Sequence, residues 1–305
     1  MEFGAGLKPD EPILPNMVDL GRLSEEAGFD YIGIFDDLLL VNHRRSDTYI
    51  VLSAIAMNTS RVKIGTWATN AYTRHPLTTA YSIASLDELS GGRAYLGFAL
   101  GGPHVKALAP GGATLQKSEE ALKIIREILS GGKIEINSWE YQLHEGMPHI
   151  PIYWGAQGKK SLRMGGRIAD GVILGGPLGW VDEPVLKGAV NLVEEGARES
   201  GRSLKEVKIW MNINVSLSLD REKAIDGVKS YMETLFSYLR ASPDKRKLWP
   251  REMFEKKSIS GTPDDCIRAI KVVERCGVDA IMMAITGDKK ETLRHLKETV
   301  IPAFK

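Results

Sequence analysis

The chain has 305 residues, with 40 basic against 39 acidic side chains, 43% hydrophobic and 26% charged residues. This is the make-up of a folded globular protein, and it excludes disorder and low-complexity scaffolding. A formal charge of +1 points to neither a nucleic-acid groove nor an anionic membrane surface. Cys266 and Cys276 are too few for a disulfide framework or a four-ligand zinc site, and read as free thiols of a reducing compartment. The first residues lack the basic start and apolar core of a signal peptide, and no run of ~18 apolar residues occurs. A cytoplasmic protein is expected.

Short β-branched runs alternate with helical patterns along the whole chain. Strand Glu2–Leu7 precedes helix Asn16–Ala27, and strand Tyr31–Phe35 precedes helix Thr48–Asn58. Strand Val62–Ala68 leads to helix Leu77–Leu89, and strand Ala94–Leu100 to helix Ser118–Leu129. Lys133–Leu143 alternates polar and apolar residues, as an inserted hairpin does. Strand Pro151–Trp154 is followed by helix Lys159–Ile168, and strand Gly171–Leu174 by helix Glu183–Ser200. Strand Val207–Leu219 is followed by helix Arg221–Leu239. Thr262 caps a proline-started helix, and strand Asp279–Ala284 with helix Lys289–Thr299 completes the pattern. Ala241–Ile259, charged and with two prolines, reads as a solvated connection or a lid.

Several of these strands are apolar throughout, as when helices cover both faces. Eight such units in one domain over residues 1–305 predict an α/β fold, a (β/α)8 TIM barrel with small insertions. The runner-up, a doubly wound sheet, calls for a glycine-rich first turn, and residues 7–15 offer none.

Barrel chemistry sits where strands run into their following loops. The second exit carries Asp36 and Asp37, of which one faces the mouth because adjacent strand side chains diverge. The third exit, residues 64–76, gathers Trp67, Asn70, Tyr72, Arg74 and His75 before a proline-started helix. Arg74 and His75 either meet a ligand or brace the loop. The fifth exit, Gly155-Ala-Gln-Gly-Lys159, leaves backbone N–H groups and a helix dipole pointing outwards, which suits a phosphate. Gly175 and Gly176 at the sixth exit are placed to clamp it from the other side, unless both pairs simply make tight turns. Six scattered histidines show no metal-binding spacing, so no metal is expected.

Residues 69–80 (TNAYTRHPLTTA), 85–97 (SLDELSGGRAYLG) and 167–174 (RIADGVIL) resemble the bacterial luciferase-like superfamily. The form TNAYTRHP, with the start MEFG, is similar to its methylenetetrahydromethanopterin reductase branch and deazaflavin-dependent relatives. The resemblance covers nearly the whole chain. It implies a (β/α)8 barrel holding coenzyme F420, or alternatively FMN, at its C-terminal mouth. It implies a non-proline cis peptide matched to Trp67–Ala68, with Thr69 and Asn70 beside the ring. The cofactor phosphate would rest on Ala156, Gln157, Gly158 and Lys159, facing Gly175 and Gly176.

The implied activity is hydride exchange between the deazaflavin and a small organic substrate. Asp36 would hydrogen-bond the ring or substrate edge, and Asp37 and His104 are the acid/base candidates. A reduced-flavin monooxygenase and a non-catalytic cofactor-binding barrel are the alternatives. Relatives often carry His where Asp37 stands, and the reductases carry Glu where Gly6 stands. Gly101-Gly-Pro-His104 replaces their Gly-Asp or Gly-Glu. The scaffold matches better than the substrate chemistry, so pterin reduction is not carried over. Relatives form dimers, which makes a homodimer the expectation.

Overall fold

Apolar strands with no polar face need cover on both sides, and a closed barrel inside a ring of helices supplies it. The structure, a computed structural model, describes residues 1–7, 14–36, 46–102, 105–109, 111–143, 148–175, 181–238 and 255–305. The first strands are β1 (Glu2–Leu7), β2 (Tyr31–Ile34), β3 (Lys63–Thr69) and β4 (Ala94–Ala99). Further along come β7 (Ile152–Ala156), β8 (Gly171–Leu174), β9 (Lys208–Leu217) and β11 (Ala280–Ile285). All pair in parallel, and β11 and β8 both pair with β9, which closes an eight-stranded ring. The predicted TIM barrel is borne out.

Helices α1 (Leu14–Glu26), α2 (Thr48–Met57), α3 (Pro76–Ser90), the short α4 (Val105–Leu108) and α5 (Leu115–Leu129) follow the first four strands. Helices α6 (Lys159–Ile168), α7 (Glu183–Glu199), α8 (Arg221–Tyr238), α9 (Pro263–Arg275) and α10 (Lys289–His295) follow the rest. The inserted hairpin is present as β5 (Ile134–Ile136) and β6 (Trp139–Tyr141), turning through Asn137 and Ser138, both at positive φ.

One strand was not legible. β10 (Ser258–Gly261) pairs with Asn214–Leu217 of β9, whose Asn214 and Val215 also pair with β11. β10 therefore takes the edge of β9 that β8 leaves at Met211. Its sequence, Ser-Ile-Ser-Gly, is short and half polar, so hydrophobic patterning passes over it. It also moves the end of the predicted connection 241–259 into the sheet; residues 241–254 lie outside the described residues.

The barrel interior is a packed core. Tyr153 stacks on Trp210 with centroids 3.9 Å apart, and Tyr31 and Tyr95 meet Trp210 edge-on at 4.5 and 5.3 Å. At the N-terminal end, Lys208 Nζ donates to Tyr31 Oη (2.9 Å), which donates to Glu2 Oε2 (3.1 Å). Burial, then the Glu2 charge, push the Tyr31 phenol far above its ordinary pKa, so it stays protonated. These groups start β1, β2 and β9, the end of a barrel that serves stability.

Two of the motifs that carry the family resemblance are structural. The Arg93 guanidinium gathers the carbonyls of Ala56, Thr59, Val62 and Ser90, tying the end of α2 to the start of β4. Gly91 at φ 70° makes the left-handed cap that ends α3. Asp170 accepts from the Ile152 N–H (2.8 Å) and Arg126 (3.1 Å), pinning β7 to the turn before β8.

Candidate active site

The C-terminal ends of β2 and β3 bring together a buried polar knot. Asp36 is 5% exposed. Its Oδ2 accepts from Thr69 Oγ1 at 2.6 Å and from Arg74 Nε at 3.2 Å. Arg74 also pairs through Nη2 with Asp47, and its guanidinium lies 4.9 Å from the Tyr49 ring centroid. Asp47 caps α2 by accepting from the N–H groups of Tyr49 and Ile50. Burial alone would raise the Asp47 carboxyl. The Arg74 hydrogen bond and charge, with the two N–H groups, outweigh it and hold the carboxyl below its ordinary range. For Arg74, burial opposes the charge, but the two carboxylates hold it above its ordinary value.

This knot orients the rest of the third exit. Asn70 Oδ1 accepts from the N–H groups of Tyr72 and Thr73, at 2.9 and 3.0 Å, folding the loop back on itself. His75 caps α3, its Nδ1 accepting from the Leu77 N–H at 3.3 Å. Of the two roles open to Arg74 and His75, the structure assigns bracing. A cleft of about 480 Å³ opens between this loop and α5, lined by Tyr72, Arg74, His75, Lys117 and Glu120. It contains neither Asp36 nor Thr69, and Lys117 already sits over the Tyr72 ring at 4.5 Å.

The peptide bond between Trp67 and Ala68 is cis, as the resemblance implies. The pairing of β3 with β4 shifts register between Thr66 and Thr69, so a bulge stands there. The Trp67 indole turns into the barrel, 2% exposed, with Phe35 over it at 4.7 Å between centroids. Its ring fills the space next to Gly6. A Cβ at Gly6 would stand 1.4 Å from Trp67 Cζ3. The position where the reductases carry Glu therefore has no room for a side chain.

Two strands round the ring from β3, the β7 exit is built differently. Ala156 is buried, while Gln157, Gly158 and Lys159 are exposed. Gly158 is the N-cap of α6 and supplies no side-chain cap, so the first N–H groups of that helix face outwards without a side-chain acceptor on the cap. A Cβ on Gly158 would meet nothing within 4 Å. Gly175, at φ 97°, donates its N–H to the Ala156 carbonyl at 3.2 Å and ties the two exits together. That N–H is therefore engaged within the chain. Asp37, His104 and Gly176 lie outside the described residues.

Asn212 was missed. It is half-buried on the face of β9 shared with Trp210, whose ring lies in the barrel interior. Asn212 and Asn214, two residues apart among the apolar residues of 209–215, are the available signal. Among the described residues no cluster of three or more His, Cys, Asp or Glu side chains is gathered as a metal requires. No described helix is long and apolar enough to cross a membrane.

A profile of the luciferase-like monooxygenase family matches residues 1–280. The chain belongs to the luciferase-like monooxygenase family. Among relatives, 5,10-methylenetetrahydromethanopterin reductase of Methanolobus tindarius is 30% identical, over 99% of this chain and 100% of its own. An F420-dependent glucose-6-phosphate dehydrogenase of Microbacterium testaceum is 29% identical over 70% of this chain and 67% of its own. The solved coenzyme F420-dependent tetrahydromethanopterin reductase of Methanopyrus kandleri superposes with a TM-score of 0.80 at 27% identity. That match covers 100% of this chain and 99% of the other. The two reductases thus span essentially the whole chain, and the family profile its first 280 residues.

Proposed function

We propose that this chain, one barrel domain over residues 1–305, is a coenzyme F420-dependent oxidoreductase acting on a small organic substrate. The observation that carries it is the uncapped α6 N-terminus at a barrel-strand exit, two strands round the same mouth from the braced third exit. A phosphorylated ring cofactor needs those two kinds of wall: donors for its phosphate and a fixed face for its ring. The relatives that cover the chain throughout include F420-dependent enzymes.

The residues fit the cofactor. The first α6 N–H groups, with Gln157, Gly158 and Lys159, hold the phosphate. Ala156 and Gly175 would leave room for it to approach, and Gly176, the other residue expected there, lies outside the described residues. Thr69, Asn70 and the Trp67–Ala68 bulge shape one face of the ring. When bound, the deazaflavin supplies a two-electron hydride carrier. The protein fixes the two reacting carbons against each other and excludes water. Asp36, held on one oxygen by Thr69 and Arg74, positions this wall. For an alcohol substrate, Asp37 or His104 would take the hydroxyl proton as the bound deazaflavin accepted the hydride. In reverse, the same group returns a proton to the carbonyl oxygen.

The enzyme is proposed to work as a cytoplasmic homodimer. Helix α2 is apolar on all sides, yet Ile50 and Met57 are exposed on it, and Leu89 is exposed on the neighbouring α3. Replacing Ile50 and Met57 together by lysine should shift the protein to monomer in sedimentation equilibrium. An unchanged mass would place the contact elsewhere.

The functional reading is tested by titrating the protein with oxidised coenzyme F420 and, in parallel, FMN, followed by fluorescence quenching. Binding of the deazaflavin, followed by its reduction with an alcohol donor, is expected. Preference for FMN with oxygen consumption would favour the monooxygenase. Tight binding with no reduction by any donor would favour a carrier.

A further inference from the structure

The cleft of about 480 Å³ beside the third exit takes no residue from the barrel interior. One wall is the loop 71–76, and the other is the face of α5 that carries Lys117, Glu120 and Ile124. The chain fixes the distance between the walls: Tyr72 Oη accepts from the Thr114 N–H at 2.8 Å, tying the loop to the N-cap of α5. The cleft is of the size that takes a small molecule.

Its polar groups have capacity to spare. Lys117 sits over the Tyr72 ring but makes no ion pair among the described residues. Glu120 accepts from Gln116 Nε2 through one oxygen, at 3.0 Å, and has no ion pair among them either. The two are three residues apart, neighbours on one helix face, yet they do not pair with each other. On the loop, Thr73 Oγ1 is buried with no hydrogen-bond partner. His75 accepts from the Leu77 N–H through Nδ1, which puts the proton of the neutral ring on Nε2, a donor. Arg74 adds no uncompensated charge, because Asp36 and Asp47 both pair with it.

The cleft therefore offers one cation and one anion side by side on α5, with neutral donors on the loop. A purely anionic ligand would meet Glu120, and a purely cationic one Lys117. A ligand with both charges on neighbouring groups satisfies both. The rest of the lining is apolar, with Ala71, Pro76, Ala121 and Ile124, and favours an apolar appendage.

We propose that this cleft is a second binding site, separate from the barrel mouth, for a free α-amino acid with an apolar side chain. The carboxylate takes Lys117 and the His75 Nε2–H, and offers the Thr73 hydroxyl the acceptor it lacks. The ammonium takes Glu120, and the side chain rests on Pro76 and Ile124. The site does not depend on which cofactor the mouth holds.

The test is isothermal titration calorimetry of the whole chain with L-leucine, N-acetyl-L-leucine and L-leucinamide, each with and without saturating coenzyme F420. L-Leucine should bind, and the other two, each short of one charge, should bind at least ~5-fold more weakly. Coenzyme F420 should not displace it. Lys117→Gln should erase the preference for L-leucine over the amide, and Glu120→Gln the preference over the acetylated form. Both side chains are exposed, so both variants keep the fold. No heat with any of the three ligands, three equal affinities, or preferences that survive the variants would overturn the proposal. So would displacement of L-leucine by coenzyme F420, which would make the cleft part of the cofactor site. A chain that binds L-leucine in this pattern but no coenzyme F420 would support the second site and overturn the cofactor reading alone.

Discussion

The two walls of the mouth are made by opposite means. At the third exit, side chains do the positioning: Asp36, Thr69 and Arg74 form a buried or half-buried knot tied outwards to the exposed Asp47, and Asn70 and His75 fold the loop onto it. At the β7 and β8 exits, backbone does it: glycine, alanine and an uncapped helix end, with exposed lysines behind. The first wall is complete without a ligand. The second has helix N–H groups with no side-chain cap. Side-chain bracing and open backbone are thus divided between two parts of the mouth, the division that the proposed cofactor reading uses.

That contrast can be broken at its strong side first. Arg74→Ala leaves Asp36 buried without its cation. Arg74 is itself partly exposed, so the loss should be about 2–3 kcal/mol, below the range for fully buried pairs. At roughly 2 °C per kcal/mol for a chain of this length, Tm should fall by several degrees in calorimetry. A Tm within one degree of wild type, roughly 0.5 kcal/mol on the same scale, would show that the knot does not hold the wall.

Acid should dissolve the same wall gradually. The Asp47 carboxyl titrates lower in the folded chain than in the unfolded one. Its contribution is therefore complete above the unfolded value near ~3.9 and fades as pH falls through the folded value. Asp47→Asn should be less stable than wild type at pH 7, with the gap closing below about pH 4. A gap that persists in acid would mean that the charge of Asp47 is not what matters.

The weak side gives the smallest effect on stability, with the opposite sign. Gly158→Asp adds a side-chain cap where none exists and where its Cβ meets nothing. Thermal unfolding should show a gain of a few tenths of a kcal/mol. A loss would mean that the helix end is already satisfied.

The barrel was legible because its strands are apolar and β-branched at regular spacing. β10 was not, since Ser258 and Ser260 interrupt so short a strand that only its partner, β9, defines it. The uncapped start of α6 was legible because it is local: one glycine-rich turn and one helix start. The third exit was legible as a place but not as a role, because Arg74 finds Asp36 across 38 residues of sequence. Gly6 shows the limit most plainly. In the sequence it is a missing carboxylate, and in the structure it is a space filled by Trp67, which only the packing of three strands reveals.

The most direct test of the divided site uses Gly158→Asp with two ligands: coenzyme F420, and its deazaflavin chromophore without the phosphate and tail. The aspartate would put a negative charge where the phosphate rests. F420 affinity should fall at least ~10-fold, about 1.4 kcal/mol, while affinity for the bare chromophore stays at the wild-type value. Equal affinities of variant and wild type for F420, or equal losses for both ligands, would contradict a phosphate site at the start of α6.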